Sequence, residues 1–128
     1  MKILVDTHLI LWSAATPKKL PKGALTLLRN PDHQLWFSAA SLWEVAIKGG
    51  LGRPDFQVDT SLLRRGLVDN GWIELPVTGA HAVAVGSLPW IHRDPFDRML
   101  VAQARAEGVM LITVDEQVAA YGSPVRAV

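Results

Sequence analysis

No cysteine occurs in the 128 residues. Disulfides, thiolate nucleophiles and cysteine-bearing zinc or iron-sulfur sites are therefore excluded, which leaves His, Asp and Glu as metal ligands. Any ion held by oxygen donors alone would be a hard one. Charge of one sign is scarce too, since the formal net charge is only +1, a balance that by itself selects no nucleic-acid or membrane partner. Long hydrophobic runs are missing: nothing approaches the roughly 18 uninterrupted apolar residues that cross a bilayer. The apolar start Ile3-Leu4-Val5 is interrupted by Asp6 and His8, which argues against an export signal. A cytoplasmic protein without membrane contact is the expectation. Residues that are 49% hydrophobic and only 20% charged exclude a disordered chain, and the length suits one domain over residues 1–128.

The patterning alternates strand and helix. Residues 2–6 form a short apolar strand ending in Asp6, and 7–14 follow as a helix. A second helix carries Leu20, Ala24, Leu27 and Leu28 until Asn30-Pro31 stops it. Residues 34–37 read as a strand, after which Ser38 caps a helix from 39 to about 48, closed by Gly49-Gly50. A loop over 51–59 is followed by a helix at 61–70, a strand at 72–75, a helix at 78–88 and a loop at 89–93. Asp94-Pro95 then starts a strong helix to about 107, residues 109–114 make a fourth strand, and Asp115 opens a last short helix that Gly122 ends. Doubly apolar strands alternating with helices predict an α/β fold with a parallel sheet covered on both sides. Ligands in such sheets bind beyond the carboxyl ends of the strands.

Several acids fall at those ends, and each has a plain structural alternative. Asp6 and Asp115 follow strands and precede helices, where an aspartate either caps the helix or faces the crevice. Glu44 stands three residues after Ser41, as in a capping box, and four before Lys48, as in a surface ion pair. A helix starting at Ala39 instead puts Glu44 in its interior, among Ala40, Trp43 and Ile47. Asp94 is placed to cap the helix begun by Pro95, and Asp97 could complement that helix's dipole. Helical geometry, however, sets Asp97 between Val101 and Ala104, an apolar stripe on which a carboxylate is costly unless paired or metal-bound. Four carboxylates gathered at one crevice repel one another unless cations intervene, and oxygen ligands suit Mg²⁺ or Mn²⁺. Such ions would activate water for displacement at a phosphodiester.

Leu4-Val5-Asp6-Thr7, Ser38 with Trp43-Glu44-Val45, Asp94-Pro95-Phe96-Asp97-Arg98 with Leu100-Val101-Ala102-Gln103-Ala104, and Leu111-Ile112-Thr113-Val114-Asp115 resemble, in order, the motifs of PIN-domain proteins. The resemblance is to VapC-type toxins of bacterial type II toxin-antitoxin systems. It implies a three-layer PIN-like fold whose short, mostly parallel central sheet is flanked by helices. It further implies a Mg²⁺-dependent endoribonuclease, with Mn²⁺ as a substitute, that is a homodimer and is silenced by a cognate antitoxin whose tail enters the acidic groove. By position, Asp6 and Asp97 match the metal-ligand acids, Glu44 the mid-chain helical acid, Asp115 the fourth acid and Thr113 the small hydroxyl residue of the last motif. Asp94 is left as a helix cap or a carboxylate behind the ligands.

His8, His33, His81 and His92 show no metal-ligand spacing and read as structural or surface residues. Of Trp12, Trp36, Trp43, Trp72 and Trp90, most should pack in the core and one or two should line a dimer or antitoxin surface. Arg53, Arg64, Arg65, Arg93, Arg98, Lys18, Lys19 and Lys48 are candidate contacts to RNA phosphates. With Asp6, Glu44, Asp94, Asp97 and Asp115 set aside, seven acids face thirteen basic residues, a mildly basic surface around an acidic hole. Two other functions compete. A phosphate-handling α/β domain, either phospho-acceptor or aspartyl phosphatase, would use Asp6, although His8 stands where a phosphatase places its second aspartate. A non-catalytic module binding RNA or a partner would gain nothing from clustered negative charge.

Overall fold

Side chains that alternate between the two faces of each strand build a sheet buried on both sides. The computed structural model describes residues 1–50 and 58–128. Its elements run β1 (Lys2–Val5), α1 (Thr7–Ala15), a 3₁₀ turn (Pro17–Lys19), α2 (Lys22–Arg29), β2 (Gln34–Ser38), α3 (Ala39–Gly50), α4 (Thr60–Asp69), β3 (Ile73–Leu75), α5 (Gly79–Val85), α6 (Pro95–Glu107), β4 (Met110–Thr113), α7 (Glu116–Ala119) and β5 (Val125–Ala127). The five strands are ordered β3-β2-β1-β4-β5 and every pairing is parallel. Ile3 lies opposite both Leu35 and Met110, so β1 is the central strand.

Ile3 and Val5 of β1 and Ile112 of β4 point into one core, with Leu9 and Ile10 of α1, Ala24 and Leu27 of α2, Val45 of α3 and Leu63 and Leu67 of α4. Leu4 and Leu111 point the other way, against Leu100, Val101 and Ala104 of α6 and Val118 of α7. This gives the three layers expected, helices on either side of a parallel sheet. Because β1 leads to β2 on one side and borders β4 on the other, chain connections diverge between β1 and β4. A crevice opens there above their carboxyl ends.

The elements depart from the sequence pattern in three places. The fifth strand was not anticipated: Val125–Ala127 is too short for a period to show, yet it pairs with β4 over Leu111, Ile112 and Thr113. Helix α5 stops at Val85 rather than reaching 88: the amides of Gly86, Ser87 and Leu88 bond three residues back, and Pro89 has no N–H for the Val85 carbonyl, which accepts from Arg98 at 3.1 Å. Gly49-Gly50 does not cut α3 short, and the helix runs through Gly50. Residues 51–57 of the expected loop lie outside the described residues, while Asp59 accepts from the Leu62 amide at 3.1 Å and caps α4. No helix among the described residues is long and apolar enough to cross a membrane.

Candidate metal centre

At the end of β1, Asp6 is both a helix cap and a site residue. Its Oδ1 accepts from the His8 amide at 3.0 Å and starts α1, while Oδ2 accepts a short hydrogen bond from the Thr113 hydroxyl at the end of β4. Thr113 Oγ1 in turn accepts from the Asp115 amide at 3.0 Å. Asp115 repeats the double use: Oδ1 caps α7 through the amides of Gln117 and Val118, at 2.8 and 3.4 Å, and its other oxygen remains. The strand-end acids are thus fastened into one unit by a single hydroxyl.

The other two acids come from helices. Ser38 ends β2 and its hydroxyl accepts from the Ala40 amide at 3.0 Å, so α3 begins at Ala39 and carries Glu44 inward, where it is 3% exposed. The early start removes the Ser41 capping box; the Ser41 hydroxyl instead accepts from Thr7 Oγ1 at 2.8 Å, tying α3 to α1. Glu44 Oε2 pairs with Lys48 at 2.6 Å, while Oε1 is buried and has no hydrogen-bond partner. Asp94 caps α6, its Oδ1 accepting from the amides of Phe96 and Asp97 at 2.8 and 3.1 Å. That cap turns Asp97 into the crevice, where its Oδ2 lies 2.8 Å from His92 Nε2.

Burial, above all, pushes the Asp97 carboxyl up to about 6; the His92 hydrogen bond opposes this, and the charges of Asp94, Asp6 and Glu44 add to it. Asp6 is raised by burial as well, against the Thr113 hydrogen bond, with Glu44 contributing repulsion. Asp6, Glu44 and Asp97 therefore lie within electrostatic reach of one another. His92, Asp97 and Asp115 each offer one ligand atom within 4.8 Å of the other two. A divalent cation fits this surrounding: mutually repelling carboxylates, a buried carboxylate oxygen without a donor, and hard oxygen ligands with one imidazole beside them.

His92 is the residue that sequence spacing missed. His81 is buried in the α5 cap with its Nε2 2.9 Å from Glu107, and His33 Nδ1 sits 3.0 Å from the Leu27 carbonyl, both structural as expected. His92 belongs to no helix or strand, so no periodicity registers it. The one available signal is its place three residues before Pro95, the first residue of α6.

Three of the eight basic residues named above are engaged within the protein. Arg98 was a candidate phosphate contact but is 4% exposed, and its Nη1 donates to Pro89 O, His92 O and Tyr121 Oη at 3.0, 3.4 and 3.0 Å. The Trp90 ring stacks on it, 4.1 Å from the guanidinium carbon. The Tyr121 hydroxyl also accepts from the His92 amide at 3.1 Å, so Arg98 and Tyr121 together fix the backbone at His92. Arg64 is engaged by Glu74 at 2.7 Å and Lys48 by Glu44. Lys18, Lys19, Arg65 and Arg93 are exposed, and Arg53 lies outside the described residues. Two of the tryptophans are exposed, Trp43 at 64% and Trp90 at 81%. Trp43 meets Phe96 edge-on at 5.2 Å on the rim of an apolar groove of about 540 Å³ that also includes Ala40, Val77 and Met99.

A family model described as PIN domain matches residues 3–123. No curated protein matches the sequence significantly. Among solved structures, VapBC2 from Rickettsia felis bound to a DNA fragment from their promoter aligns with a TM-score of 0.72 at 11% identity, covering 100% of this chain and 99% of that one. VapBC-5 from Mycobacterium tuberculosis, of the VapBC family of toxin-antitoxin systems, aligns at 0.64 and 19% identity, covering 99% and 97%. Mycobacterium tuberculosis VapC20, a Sarcin-Ricin loop cleaving toxin, aligns at 0.62 and 20% identity, covering 94% and 95%. At these identities the likeness is one of fold.

Proposed function

Because this chain belongs to the PIN domain family, we propose that it is a metal-dependent endoribonuclease and the toxin of a type II toxin-antitoxin system. The observation that carries the reading is the gathering of Asp6, Glu44, Asp97 and Asp115 from four separate elements, with Glu44 Oε1 buried and unpartnered. A divalent cation such as Mg²⁺ or Mn²⁺ would, when bound, provide the chemistry for activating water and offsetting charge on a phosphodiester's leaving oxygen. Asp6, Asp97, Glu44 and Asp115 are the residues that would hold it. Thr113 aims Asp6 by donating to Oδ2, and the Asp94 cap aims Asp97 by fixing the first turn of α6. Lys48 offsets part of the negative charge at Glu44 and lowers the cost of assembling the four acids.

A protein partner is supported by the solved relatives, several of which are toxin-antitoxin complexes. Exposed Trp43 and Trp90 are the aromatic anchors such an antitoxin, or a second copy in a homodimer, would use. The phosphate-handling alternative fares worse. An aspartyl phosphatase places a second aspartate two residues after the first, and here that position is His8, whose amide meets Asp6.

The test is RNA cleavage in Mg²⁺ by wild type beside Asp6→Asn and Asp97→Asn, with folding followed by circular dichroism. Each variant keeps its shape and loses a ligand charge, so both should fold and cleave at least a hundredfold more slowly, as expected when a metal-held nucleophile is lost (about 10² or more). Cleavage by Asp97→Asn at the wild-type rate would overturn the reading.

A further inference from the structure

We infer that His92 supplies an imidazole nitrogen to the cation held by Asp97 and Asp115, making this a mixed nitrogen-oxygen site that prefers first-row transition ions to Mg²⁺. The inference rests on the proposal that the acids hold a cation. Two ligands bound side by side at about 2.1 Å from one octahedral ion lie about 3 Å apart, and opposed ligands about 4.2 Å apart. His92 Nε2 and Asp97 Oδ2 are 2.8 Å apart, the separation of neighbouring ligands, and the set with Asp115 spans no more than 4.8 Å. Only small shifts are then needed for the three to share one ion.

His92 is also held ready. Its amide donates to Tyr121 Oη and its carbonyl accepts from Arg98, whose buried guanidinium binds the loop from several sides. An imidazole whose backbone is pinned this way loses little freedom on binding an ion. Independently, Glu44 Oε1 is a buried oxygen with no donor, and the same carboxylate repels both Asp6 and Asp97. A positive ion in the crevice removes both penalties. Nitrogen ligands strengthen binding of Mn²⁺, Co²⁺ and Zn²⁺ and do little for Mg²⁺, which favours oxygen and retains its waters.

The experiment uses Mn²⁺ itself as the probe on the full chain. Calorimetric titration gives its affinity beside that of Mg²⁺, and pulsed electron paramagnetic resonance reads nitrogen coupling to the bound ion. Wild type is expected to show coupling from one imidazole, which changes on labelling the histidines with ¹⁵N, a readout that needs no variant. His92→Gln should still bind Mn²⁺ but lose the coupling, and its preference for Mn²⁺ over Mg²⁺ should fall about tenfold. Mn²⁺ bound to wild type without nitrogen coupling would overturn this inference and leave the acidic site standing. Coupling that survives His92→Gln and disappears in His8→Gln would overturn it in favour of the other nearby imidazole. Failure of the wild type to bind Mn²⁺ at all would remove the acidic site and this inference together.

Discussion

The two strand-end acids of the crevice each divide their oxygens between two directions. Asp6 and Asp115 give one oxygen to a helix start and keep the other turned elsewhere. The capping and crevice readings of the sequence were therefore not rivals, and a reading by residue type cannot divide a carboxylate into its two oxygens. Asp97 carries the clearest energetic consequence. Between its ordinary value of 3.8 and about 6, the folded protein keeps a proton at Asp97 that the unfolded chain has released. The stability this group contributes is thus complete below pH 3.8 and is lost as pH rises through about 6, when the cation-free fold must hold a buried carboxylate. In EDTA, wild type should lose melting temperature relative to Asp97→Asn across that window, and saturating Mn²⁺ should reverse the trend because the ion binds only the deprotonated acid. Melting curves of both proteins from pH 4.5 to 7.5 measure this; a wild type that gains on Asp97→Asn as the EDTA series rises would contradict it. A second expectation concerns Thr113, whose hydroxyl bridges Asp6 and the Asp115 amide. Thr113→Val keeps the shape and should weaken cation affinity about 10- to 100-fold, read by calorimetry.

Among the elements, the loop between α5 and α6 depends on a residue outside it. Arg98 projects from the first turns of α6 and meets carbonyls of Val85, Leu88, Pro89 and His92. Arg98→Met would leave those carbonyls short of donors and should cost about 3 kcal/mol in denaturant unfolding. A loss under about 0.5 kcal/mol would mean the loop is held by other contacts. The sequence offers Arg98 only as a candidate phosphate contact: spacing locates a side chain around the axis but does not show what covers that side. The same limit explains which elements were legible. Strands β1 to β4 and the long helices announce themselves through apolar periods and through Asn30-Pro31, Ser38 and Asp94-Pro95, which start and stop chain segments by backbone chemistry alone. Strand β5 could not, because three residues give no period and its partner lies elsewhere in the sequence. His92 was illegible for a related reason: its place is set by hydrogen bonds to Tyr121 and Arg98 rather than by its own neighbours.

Across the whole molecule, the all-parallel order concentrates strand ends and helix starts on one edge of the sheet. That edge carries the acids; among the cations named above, Lys48 and Arg64 are paired with carboxylates and Arg98 is buried. Few phosphate contacts per protomer should follow. RNA association with the catalytically silent Asp97→Asn protein is expected to weaken with salt at a modest slope, about −0.7 for each phosphate neutralised and no more than about four contacts. Filter binding over 50–300 mM salt would measure it, and a slope twice as steep would mean that more cations than the exposed Lys18, Lys19, Arg65 and Arg93 reach phosphates.

One asymmetry among the members of the crevice has practical weight. Asp6 and Asp115 each spend a side-chain oxygen on a helix start, so exchanging either for a donor of another shape would remove a cap. His92 stands in no helix or strand: Tyr121 and Arg98 hold its backbone, and its ring meets Asp97. An engineer wishing to retune which ion the protein selects would begin at position 92, where the donor can be rewritten without rebuilding the mould that holds it.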